Sequence, residues 1–168
     1  MINLKTMTNN LHYNTRNEAI EFARRTKVNL QFIEQAKRAG EPVHEVTQLA
    51  LSLLGLIVFP KEKLLLDQID KILLADLQAK GWPQWQITLD GGKRRTDTLG
   101  QLIWHLRNAI SHGALMFTSD DESLENVALR VEDKPSKTAD ANWRAEISGI
   151  HLREFCLSFT GLIDQIIG

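Results

Sequence analysis

The chain has 168 residues, 43% of them hydrophobic and 24% charged, enough for one domain with a real core and too apolar for a mainly disordered chain. Twenty basic residues against 21 acidic give a net charge of −1, which excludes a histone-like polycation but leaves room for a local basic site. The lone Cys156 cannot form an intrachain disulfide and fits a reducing compartment. The N-terminal residues lack the apolar stretch of a secretory signal, so a cytoplasmic location is expected.

Residues 1–14 show no clear period and are expected to form an N-terminal arm, with one helical domain over 15–168. Thr15-Arg16-Asn17-Glu18 has the form of a capping box, and Ala19, Phe22, Ala23, Thr26, Leu30 and Ile33 follow at helical spacing towards Gly40. A second helix is predicted from Glu41-Pro42 to Phe59, stopped by Pro60. It holds the most apolar run, Leu49 to Phe59, which is about half the length a bilayer requires and reads as a buried helix. A third is predicted from Pro60 to Lys80, with Leu66, Ile69, Leu73 and Leu77 on one stripe. Trp82 to Thr96 reads as a non-helical connection with an Asp90-Gly91-Gly92 turn. Thr98 and Gln101 can cap a fourth helix, expected to reach Phe117, with Leu99, Leu102, Ile103, Leu106, Ala109 and Ile110 facing the core. Alternation at Val127, Leu129 and Val131, and again at Trp143, Ala145 and Ile147, predicts two strands. Ser148 then caps a last helix to Ile167. The expected fold is mainly all-α: a four- or five-helix bundle with one β-hairpin before the final helix.

One constellation is suited to chemistry. Arg107-Asn108-Ala109-Ile110-Ser111-His112 lies on the fourth helix, where each residue advances about 100°. On that geometry His105, Asn108 and His112 share a strip at the edge of the core, while Arg107 points well away from His112. An imidazole near its working pH can take a proton from a ribose 2′-hydroxyl. A guanidinium matches phosphate oxygens in a fork and stabilises developing negative charge. Asn108 can orient the imidazole or bind the sugar–phosphate. The plainer reading is a surface arginine and a hydrogen-bonded histidine, and spacing alone does not decide between them.

This segment resembles the Arg-x4–6-His motif of the HEPN superfamily, including the polar residue directly after the arginine. Its setting is similar too: Leu106-Arg107-Asn108 through His112-Gly113 on a late helix, then a strand pair, then a Leu152-Arg153-Glu154-Phe155 helix. Across about residues 15–167 the chain is similar to plasmid- and mobile-element-associated HEPN proteins. The resemblance implies a metal-independent, cofactor-free endoribonuclease, a toxin or defence effector with a cognate antitoxin or other protein partner. Arg107 and His112 would be catalytic and Asn108 supporting, in a homodimer whose motifs face one cleft. Cleavage by 2′-hydroxyl attack would leave a 2′,3′-cyclic phosphate. Some members are binding modules, so a non-catalytic module for RNA, nucleotide or protein is the alternative.

Lys93, Arg94 and Arg95 lie just upstream of the motif helix and can contact an RNA backbone, or form a solvated turn. His105 either lines the same cleft or is a hydrogen-bonded structural histidine. Trp104, on the side away from the core stripe, is suited to an interface, to stacking on a base, or to packing on a neighbouring helix. Trp82 and Trp85 are expected to anchor their loop. Cys156, with no activating neighbour in sequence, reads as structural. The five histidines (12, 44, 105, 112 and 151) have no zinc-ligand spacing, and no P-loop is present.

Overall fold

In the computed structural model, residues 4–58, 63–91, 95–119, 123–136 and 138–167 are described. Helices α1 (Leu4–Arg38), α2 (Glu45–Val58), α3 (Lys63–Ile69) and α4 (Leu74–Ala79) lead to strand β1 (Gln86–Asp90). Helix α5 (Leu99–Ser111), strands β2 (Leu115–Phe117), β3 (Ala128–Asp133) and β4 (Trp143–Ser148), and helix α6 (Gly149–Ile167) complete the chain.

Helix α1 is continuous from Leu4. The Thr15 box therefore lies inside a helix rather than at its start, and residues 4–14, expected as an arm, are its first turns. Further on, Ala19, Ile20, Ala23, Thr26 and Leu30 form its buried stripe, packed on α2 and α6. Helix α2 buries Leu49, Ser52, Leu53, Leu56 and Ile57. No helix among the described residues is long and apolar enough to cross a membrane.

The third expected helix is two. Helix α3 ends at Ile69 and α4 begins after Leu73, which is extended (φ −72°, ψ 137°). The backbone here bonds across the fold instead of along a helix. Leu74 N–H donates to Asp97 O at 3.0 Å, and Leu99 N–H to Ile72 O at 2.8 Å. At this crossing Gly100 permits the close approach: a Cβ on it would sit 2.8 Å from the Cα of Asp70. Leu73, predicted to be on the core stripe, is exposed instead.

The expected hairpin proves to be the centre of a four-stranded antiparallel sheet in the order β1-β4-β3-β2. β3 and β4 pair throughout, from Ala128 opposite Ser148 to Asp133 opposite Trp143. Leu129 and Val131 on β3, and Trp143, Ala145 and Ile147 on β4, are buried in the alternation predicted for them, and Asp133 adds a third inward position on β3 that was not expected. β1 arises from what was expected to be an irregular connection; Ile87 and Leu89 alternate there, with a register shift between them. Trp82 and Trp85 pin the preceding turn to α6, each meeting Phe155 edge to face at 6.0 and 5.8 Å. The Ser148 side chain does cap α6, its Oγ accepting from His151 N–H at 3.4 Å.

Candidate functional site

Helix α5 carries the motif and is set by both of its ends. Thr98 Oγ1 accepts from Gln101 N–H at 3.2 Å, and Gln101 Oε1 accepts from Thr98 N–H at 3.0 Å, the reciprocal box its sequence predicts. Leu99, Leu102, Ile103, Leu106 and Ala109 are fully buried along the core face. The helix stops at Ser111, short of the expected Phe117. His112 is its C-cap, and Gly113 follows at φ +67°. Gly113 N–H reaches Ile110 O at 3.0 Å and Ala114 N–H reaches Ala109 O at 2.9 Å, the paired bonds of a Schellman termination. The chain then turns into β2, and Glu132 N–H donates to Ala114 O at 3.1 Å. The segment just after the motif is thereby tied to β3.

The polar strip read from the sequence divides by depth. His112 is exposed, Asn108 half-buried and His105 only 1% exposed. His105 stacks on Trp143 with centroids 4.6 Å apart and planes 2° from parallel, and Trp104 meets it edgewise at 4.8 Å. Its Nδ1 lies 2.8 Å from Asp133 Oδ2, and Asn108 Nδ2 donates to that same oxygen at 3.2 Å. An amide nitrogen only donates, so Oδ2 is the acceptor in that bond, and a proton on His105 Nδ1 completes the pair. His105 is thus a core group, and the expectation that it meets RNA is corrected by its burial.

Trp143 extends the network outward. Its indole N–H donates to Thr96 Oγ1 at 2.8 Å, and Thr96 in turn donates to the Asp90 carboxylate through its hydroxyl and its backbone N–H, both at 3.2 Å. Polar atoms here join β4 to β1 and α5 to β3, and the His105–Trp143 stack links the two sets. Sequence reading missed Asp133 altogether. Its only signal was a carboxylate at the third inward position of an otherwise apolar alternation.

Arg107 leaves the strip, as its angle requires. Its Nε donates to Ile57 O at 2.7 Å and one terminal nitrogen to Val58 O at 3.5 Å. These are carbonyls in the last described turn of α2, where cations are favoured by the helix dipole. Partial burial pulls the Arg107 pKa below its ordinary value. Helical spacing places Arg107 and His112 about 140° apart around α5, five residues at about 100° each. Asn108 lies between them in angle and is held inward by Asp133.

Of the predicted RNA contacts, Arg95 is exposed just ahead of α5, while Lys93 and Arg94 lie outside the described residues. Trp104 is 42% exposed, on the face of α5 away from the core stripe. Cys156 is fully buried, which pushes its thiol up to about 12 and makes it unreactive. Among the described residues, no group of three or more His, Cys, Asp or Glu side chains is arranged to hold a metal.

A family model described as HEPN pEK499 p136 matches residues 6–167. No curated protein and no solved structure matches the chain.

Proposed function

We propose, from the premise that the chain belongs to the HEPN pEK499 p136 family, that it is a metal-independent endoribonuclease whose active unit is a homodimer. The observation that carries this reading is the placement of the motif: His112 stands exposed on the C-cap of α5, directly beside an Asn108 held in place from the core. Arg107 and His112 diverge on one helix, so a single copy is a poor active site. A two-fold axis through facing α5 helices would bring the arginine of one chain opposite the histidine of the other.

In that site neutral His112 takes the proton of a ribose 2′-hydroxyl. The 2′-oxygen attacks the adjacent phosphorus, the bond from phosphorus to the 5′-oxygen breaks, and the departing oxygen takes up a proton from water, while the proton held by His112 returns to solvent. The products are a 2′,3′-cyclic phosphate and a 5′-hydroxyl. Arg107 stabilises the charge that builds on the phosphoryl oxygens, and Asn108 holds the sugar–phosphate. Arg95, with Lys93 and Arg94, supplies backbone contacts. A cytoplasmic toxin or defence effector restrained by a cognate antitoxin is the role we assign to such an enzyme.

The test is incubation of the purified protein with mixed RNA, with and without EDTA, beside His112→Ala and Arg107→Ala. Cleavage should persist in EDTA, leave cyclic-phosphate ends and vanish in both folded variants. Mixing the two inactive variants should restore part of the activity, because some mixed dimers hold one intact composite site. Absence of cutting by the wild type would overturn the reading.

A second reading, a non-catalytic module that binds RNA, nucleotide or protein, is favoured by one observation: the Arg107 guanidinium already serves the α2 carbonyls. Such a module would retain RNA on a filter without cutting it.

A further inference from the structure

We infer that Asp133 is a positioning residue of this site: it holds Asn108 so that the amide oxygen, and not the amide nitrogen, faces what binds between Arg107 and His112. The inference deepens the ribonuclease reading and rests on it for its functional part.

The alternation of β3 buries Leu129, Val131 and Asp133 in turn, with Asp133 4% exposed. A hydrophobe at that third position would satisfy the fold, and a buried carboxylate is costly unless donors meet it. Two donors do, and both are on the motif helix: His105 and Asn108. His105 is itself clamped, stacked on Trp143 from the strand paired with β3. The carboxylate is therefore fixed from the sheet side and reaches outward to a residue inside the motif.

That contact decides the chemistry Asn108 offers. With Nδ2 turned to a carboxylate, Oδ1 is turned away from it; the reverse orientation would set two oxygens against each other. An outward amide oxygen accepts hydrogen bonds. It is suited to hold a ribose hydroxyl or a guanidinium N–H in place and is unsuited to stabilising a phosphoryl anion. Asn108 then aligns the donor groups of the reaction, and Arg107 is left as the group that meets negative charge.

The experiment compares Asp133→Ala, Asp133→Asn, Asn108→Ala and the Asn108→Ala/Asp133→Ala double variant, each checked for folding by thermal denaturation. The first readout needs no activity: the side-chain amide pair of Asn108 in nitrogen-labelled protein. It should be dispersed and slow to exchange in the wild type, move to free-amide positions in Asp133→Ala, and stay near its native place in Asp133→Asn, which keeps an acceptor oxygen. The second is cleavage by the folded fraction. Losing a hydrogen bond to a charged partner should lower kcat/KM about 10-fold, equally in Asp133→Ala and Asn108→Ala and no further in the double variant. Asp133→Ser, too short to reach Asn108, replaces the alanine variant if that one does not fold. An Asn108 amide unmoved by loss of the carboxylate, or losses that multiply in the double variant, would overturn the inference. If the wild type cuts no RNA, the nuclease reading falls while the amide resonances still decide whether Asp133 holds Asn108.

Discussion

Replacing Arg107 by alanine should weaken the fold as well as any chemistry. The side chain's bonds to α2 include a short one, Nε to Ile57 O at 2.7 Å, and one at the outer limit, to Val58 O at 3.5 Å. The first joins a charged donor to a backbone carbonyl, worth about 1.5–3 kcal/mol when well sheltered. Half-burial lets water replace part of it, and the second bond adds little, so a loss of about 1.5 kcal/mol is expected. For a chain of this size about 1 kcal/mol corresponds to 2–4 °C, so the Tm should fall by about 3–6 °C. Thermal and urea denaturation of wild type, Arg107→Ala and Arg107→Lys measure it. Lysine keeps the charge but loses the Nε donor, and should fall between the two. An Arg107→Ala variant as stable as the wild type would refute the claim that this guanidinium anchors the end of α2. It would also free the arginine for a purely catalytic account.

Other substitutions separate position from chemistry. His112→Ala changes an exposed C-cap side chain and should leave stability within about 0.5 kcal/mol while abolishing RNA cleavage. Gly113→Ala forces a Cβ into the left-handed region at φ +67° and should cost about 1–2 kcal/mol in urea denaturation. Gly100→Ala drives a methyl against Asp70 and should destabilise by about 1–3 kcal/mol or more. Cys156 should resist thiol reagents at pH 8 until denaturant is added. Burial pushes its thiol from the ordinary 9.0 up to about 12. Its contribution to stability is therefore complete below about pH 9 and is lost as pH rises towards 12, which denaturation midpoints across that range would show.

Local chemistry was legible wherever the chain follows its own periodicity. The Thr98–Gln101 box, the α5 core stripe, the alternation of β3 and β4 and the start of α6 all rest on neighbours close in sequence, and each forms as its residues predict. The differences arise where distant backbone intervenes. Leu73 sits on a helical stripe, yet its neighbours spend their hydrogen bonds on Asp97 and Leu99. Gly113 marks the end of α5, but only its pairing with β3 turns Leu115–Phe117 into a strand. At the site, angle alone sent Arg107 away from His112. The places it goes to, and the carboxylate that receives His105 and Asn108, depend on α2 and β3 and could not be read from α5.

The strand order has a consequence for the timing of synthesis. β1 pairs with β4 and not with its neighbours in the chain, and the ring that supports His105 belongs to β4 as well. A growing chain emerges from its N-terminus first, and long-range pairings close late. The motif helix therefore leaves the ribosome well before the strand that braces it. An unfinished chain would carry the residues of the candidate site without their support, and competence would arrive only with the last third of the protein.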